Sequence, residues 1–139
     1  SGEVILKKYS PVGEMSQLAQ SYAEALVNLT GLGAAVCDTE QVIAVAGPVK
    51  KDLLHKQVSV QMEELVQGRR SFVTNGESTV LAAQGFPAAA LTVFPVVSSG
   101  DPMGAVMLIK GEKSPPKIGG EAVESAKAAA MFLSRQLES

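Results

Sequence analysis

Few side chains in this sequence could do covalent chemistry, and none stands beside a partner. His55 is the only histidine and Cys37 the only cysteine. A nucleophile and its base must lie within hydrogen-bond reach of each other. His55 falls among Leu53, Leu54 and Lys56, on a stretch that reads as a short helix. Cys37 closes an apolar run, where a small buried thiol fits. With no HxxxH or CxxC pair, no zinc site built from this chain's side chains is expected. Ser99-Gly100-Asp101-Pro102-Met103-Gly104 has two glycines but joins two strands, whereas a phosphate cradle opens onto a helix. Glu63-Glu64 lies on an amphipathic stretch and reads as a solvated face. No enzymatic activity, catalytic residue, metal or cofactor is expected; the enzyme alternative is a small cytosolic one using Cys37 or His55.

Two basic pairs, Lys50-Lys51 and Arg69-Arg70, allow two readings. They are solubilising charges, or Lys50, Arg69 and Arg70 clamp an acidic ligand at a pocket rim. The apolar residues Val36, Ile43, Val45, Phe72, Phe94 and Met107 could face one cavity beneath the Asn75-to-Pro87 segment. That segment is small, polar and glycine-containing, as a mobile lid would be. The competing reading takes the six as plain core.

These residues need elements to carry them. After Pro11, the residues Met15, Leu18, Ala19, Tyr22, Leu26 and Leu29 recur at three- and four-residue steps, predicting a helix over 12–29. Gly31 and Gly33 end it. Ala34 to Cys37 and Val42 to Ala46 read as a hairpin around Asp38-Thr39-Glu40. Lys50 to Lys56 predicts a short helix with Leu53 and Leu54 pointing inward. Ser59 reads as the start of a helix through Val66. Arg69 to Thr74 and Val80 to Ala83 are candidate strands, with a turn at Asn75-Gly76. Ala90 to Val97 and Met103 to Lys110 are strands joined by a polar turn. A linker from Gly111 to Gly120 leads to an alanine-rich helix from Glu121 to Leu137. Hairpin-length connections predict a mostly antiparallel sheet and an α+β fold. The terminal helices share one face, and the middle helices take the other.

Composition sets the class. The chain has 139 residues, 46% of them hydrophobic and 4% aromatic, enough for one aliphatic core. Its net charge of −2, from 12 basic and 14 acidic residues, gives no broad footprint for nucleic acid. The single cysteine and the lack of a visible signal peptide fit a cytoplasmic location. The longest apolar run, Ala88 to Val97, is far short of the about 20 residues that span a membrane. Val4-Ile5-Leu6 before Pro11 reads as the last strand of an upstream domain, so residues 1–11 are expected to be a remnant strand and linker.

The stretches Gly2 to Pro11, Tyr22-Ala23-Glu24-Ala25-Leu26, Cys37-Asp38 and Val42 to Val45 resemble a known family. Lys50-Lys51-Asp52, Pro95-Val96-Val97, Gly100 to Val106 and Ala122 to Glu138 continue the match. The chain resembles the C-terminal part of the stage V sporulation protein T family, transcription regulators of spore-forming bacteria. The first stretch resembles the junction after a swapped-hairpin DNA-binding domain of the AbrB type. The remainder, residues 12–139, resembles a GAF domain.

The resemblance implies a regulatory domain that senses a small molecule and supports homo-oligomers, with DNA bound only through the N-terminal domain missing here. The alternatives to such a regulatory module are a pure dimerisation module without ligand and the small cytosolic enzyme using Cys37 or His55. The helix pattern adds an expectation of its own. Val123, Ala128 and Phe132 lie off the main stripe of the last helix. The Met15–Leu29 and Glu121–Leu137 helices of two chains are therefore expected to pack together as a four-helix bundle.

Overall fold

The computed structural model describes residues 11–111 and 118–138. The strand expected before Pro11 and most of the expected linker lie outside them. The elements are helix α1 (Pro11–Thr30), strands β1 (Gly33–Cys37) and β2 (Val42–Ala46), and a 3-10 turn (Lys51–Leu53). Helix α2 (Val60–Gln67) and strands β3 (Phe72–Val73), β4 (Val80–Ala83), β5 (Phe86–Ser98) and β6 (Asp101–Ile109) follow, and helix α3 (Gly120–Glu138) closes the chain.

Local chemistry accounts for the boundaries. Pro11 suits the first helical turn, where its missing N–H costs nothing. Thr30 and Gly31 stop α1: the Thr30 hydroxyl donates to the Leu26 carbonyl, and Gly31 takes φ of +74°. The Asp38 carboxylate accepts from the amides of Glu40 and Gln41, each at 2.8 Å, and so turns β1 into β2. Ser59 caps α2 by accepting from the Met62 amide at 3.1 Å, as its place in the sequence predicts. Ser99 and Gly100 have φ of +51° and +85°, both positive as a tight hairpin turn demands.

All strand pairs are antiparallel. The order is β2-β1-β6-β5-β3, and β4 pairs directly with the first residues of β5, Phe86 to Ala90. Helices α1 and α3 cover one face, where Met15, Ala19, Ala23 and Leu26 meet Ala126, Ala130 and Leu133 over Val36, Phe94 and Val106. The 3-10 turn and α2 cover the other, where Leu53, Met62 and Val66 pack over Ala35, Val45, Val93 and Met107.

Three expectations need correction. Leu54 points outward while Leu53 is fully buried, because the predicted helix shrinks to one 3-10 turn with one inward position. Leu29 is exposed rather than part of the buried stripe, and Ala23 takes the inward place. The Asn75-to-Pro87 segment is not a lid. Asn75 holds the amides of Glu77 and Ser78, and Val80–Ala83 is a strand of the sheet itself.

Candidate functional site

Register decides where the proposed pocket residues stand. Val45 faces Ala35, which faces Met107, which faces Val93, which faces Phe72. The adjacent row runs Ala44, Val36, Val106, Phe94. Rows one residue apart point to opposite sides of a sheet. Val36 and Phe94 are therefore packed under α1 and α3, with Ile43 at the rim of that core. Val45, Met107 and Phe72 belong to the other side. The expected common cavity for the six is corrected: Val36 and Met107 are fully buried on different faces.

The three cations also separate. The Arg69 guanidinium donates to the Gly100 carbonyl at 2.7 Å and to that of Gln67 at 3.3 Å, so it ties α2 to the β5–β6 hairpin tip. Arg70 and Phe72 share a groove of about 340 Å³ with Glu64 and Val80. Lys50 is elsewhere, on a cleft of about 480 Å³ at the end of the sheet.

That cleft has three walls. Gly47 to Lys50 form one, the start of β5 at Phe86, Pro87 and Ala88 another, and Ile109, Lys110 and Gly111 the third. The first wall is fixed by contact. A Cβ on Gly33 would fall on Val49 Cγ2, so the valine occupies the space the glycine leaves open. The Val49 amide also donates to the Gly47 carbonyl at 2.8 Å. The Lys110 amide donates to the Ala89 carbonyl at 2.8 Å and locks the other two walls together. Sequence reasoning found Lys50 and missed Lys110 and Phe86. Gly47-Pro48 and Gly85 flag the chain breaks that bring them together, but periodicity gives them no common address.

Neither candidate nucleophile is placed to react. Cys37 is fully buried, and desolvation pushes its thiol up to about 12 from 9.0. Asp38 adds to the rise, while the hydrogen bond with the Ala105 backbone opposes it. His55 is exposed, its Nδ1 lies 3.3 Å from Gln41 Oε1, and its φ is +70°. Among the described residues, no group of three His, Cys, Asp or Glu side chains could hold a metal ion. No helix among them is long and apolar enough to cross a membrane.

The outer surface of the helix layer carries a second feature. Tyr22, Leu26, Leu29, Ala128 and Phe132 line an apolar groove of about 380 Å³ between α1 and α3. Leu29 is 73% exposed and Phe132 57%.

Residues 14–138 match the family model described as stage V sporulation protein T C-terminal, transcription factor. The chain belongs to this family. It is 39% identical over 139 residues to stage V sporulation protein T of Bacillus subtilis strain 168, covering 99% of this chain and 76% of that protein. The second GAF domain of DevS from Mycobacterium smegmatis superposes with a TM-score of 0.65 at 19% identity, covering 89% of this chain and 93% of that one. The cofactor-binding GAF domain of the nutrient sensor CodY from Clostridium difficile gives 0.55 at 15% identity, covering 96% and 97%. At such identities the likeness establishes the fold. The fold is GAF-like, with six antiparallel strands among the described residues between terminal helices and a smaller helix, in a transcription-factor family.

Proposed function

We propose that this domain is the regulatory part of a sporulation transcription regulator: it pairs with a second copy through α1 and α3 and senses a small molecule on the opposite side of the sheet. The observation that carries the reading is the exposed apolar surface of the helix layer. Leu29 and Phe132 are both more than half exposed, yet they line the same groove. A two-fold interface uses one patch on both partners, so projecting groups and the groove that receives them must lie together. Both walls come from the terminal helices, and the outcome is a four-helix bundle. DNA would be bound through an AbrB-type N-terminal domain, and no sequence-selective binding is expected of these 139 residues alone.

The sensing half of the proposal draws support from the fold, which a cofactor-binding domain of a nutrient sensor shares. A module that only assembles is the alternative, favoured by how solidly Leu53, Met62 and Val66 fill the middle of that face.

Sedimentation of the chain at tens of micromolar tests the assembly. A homodimer or larger homo-oligomer is expected, and Leu29→Asp with Phe132→Asp should give a folded monomer. A wild-type chain that sediments as a monomer would end the reading.

A further inference from the structure

We propose that the cleft at the end of the sheet binds a small molecule with an apolar body and one carboxylate, held between Lys50 and Lys110. The inference rests on the sensing half of the function proposed above and names its site and ligand class.

The cleft joins three properties. Its volume, about 480 Å³, suits a small metabolite. Its lining is largely apolar: Val49 and Phe86 pack against the core cluster to which the lining residues Ala88 and Ile109 belong. Among the described residues, the charged ones that line it are Lys50 and Lys110, and no aspartate or glutamate is in that lining. In a chain of net charge −2, that is a local reversal of sign.

The two lysines differ in a useful way. Lys110 is half-buried, and its ammonium donates to the Gly111 carbonyl at 3.3 Å, which holds it along the wall. Lys50 is exposed on the rim, and the structure gives its side chain no hydrogen bond or ion pair among the described residues. One part-buried and one exposed ammonium on the same cleft can serve a single carboxylate. No arginine is among the lining residues, and the helix that starts after Lys50 is a single 3-10 turn, so the guanidinium fork that usually clamps a phosphate is absent from the lining. The apolar floor would take the rest of the ligand out of water. The walls are formed beforehand by Val49 seated over Gly33 and by the Lys110–Ala89 bond, so binding orders little chain.

The test is a 1H–15N NMR titration of the chain with 3-phenylpropionate, its neutral analogue 3-phenylpropanamide, and inorganic phosphate. The carboxylate should shift the amides of Val49, Ala88, Lys110 and Gly111 most, and the amide analogue should bind about tenfold more weakly, the scale of a lost charge-assisted contact. Lys50→Glu and Lys110→Glu should each weaken the carboxylate by a similar factor while leaving the rest of the spectrum in place. Lys127→Glu on the helix layer should change nothing. Equal binding of acid and amide, tighter binding of phosphate, shifts that map elsewhere, or no shift at millimolar acid would each overturn the site. The sensing reading fails separately. Binding at the cleft that leaves sedimentation and assembly unaltered keeps the site and removes the sensor. A ligand response that maps to the groove around Arg70 keeps the sensor and removes this site.

Discussion

The two faces of the sheet are covered in different ways. On one, α1 and α3 lay down 20 and 19 residues of continuous helix, and small residues let them approach closely. Ala19, Ala23, Ala126 and Ala130 are all buried there. On the other, one eight-residue helix and a single 3-10 turn share the work with loops. Those loops are held by backbone bonds and include His55 and Arg69 at positive φ, a conformation that costs a side-chain-bearing residue about 1 kcal/mol. Long helices bury one stripe and leave a regular outer surface, suited to meeting another copy. A patchwork cover leaves gaps at its seams, and the two grooves lined by Lys50 and by Arg70 are such seams.

Adjacent residues of α3 offer the sharpest way to break this comparison. Leu133 is fully buried beneath the helix layer, whereas Phe132 faces out. Leu133→Asp places a charge in an apolar core and should cost about 4 kcal/mol or more, enough to unfold the domain in a urea titration. Phe132→Asp should change folding stability by about 0.5 kcal/mol or less. Its effect should appear in sedimentation, as loss of the proposed oligomer. Equal destabilisation by the two would mean that the helix layer has no free outer surface.

Gly104 tests the seam between β6 and the β1–β2 turn. A Cβ there would fall on the Cys37 carbonyl, which is backbone and cannot rotate away. Gly104→Ala should therefore cost about 3 kcal/mol, read as a lower urea midpoint. A mild effect would show that the two strands can separate.

Cys37 reports on the burial of the patchwork face. Below about pH 9 its thiol is protonated in both folded and unfolded chains, and stability does not depend on it. Above that, the unfolded chain loses the proton while the native chain keeps it up to about 12. Stability should then fall by about 1.4 kcal/mol per pH unit from this group. Comparing wild type with Cys37→Ala at pH 8 and pH 10 isolates the contribution, because the alanine variant lacks it. Identical pH dependence would mean that water reaches this face.

The smallest expected effect is at Arg69. Its bond to the Gly100 carbonyl is exposed, so Arg69→Ala should cost under about 1 kcal/mol in thermal melts. A larger loss would give the hairpin tip a greater structural share than its solvent exposure suggests.

The sequence by itself determined the elements, because their signals are local. The recurrence from Met15 to Leu26, the Ser59 cap, the glycine after α1 and the polar turn at Ser99-Gly100 each act within a few residues. Hairpin-length connections also implied an antiparallel sheet with the terminal helices on one side. Family membership was legible too, since it rests on stretches along the chain and not on their meeting in space. Pairing register lay beyond local signals. Whether Val36 shares a surface with Val45 depends on which residue faces which across β1 and β2, and a shift of one position exchanges the faces. The cleft depended on more distant geometry still, because Lys50 and Lys110 stand 60 positions apart and come to line one cleft through the Val49–Gly33 contact and the Lys110–Ala89 bond. Only the tertiary structure decided that one predicted pocket was two rows on opposite faces, and that a cleft lined by two lysines lay at the sheet's end.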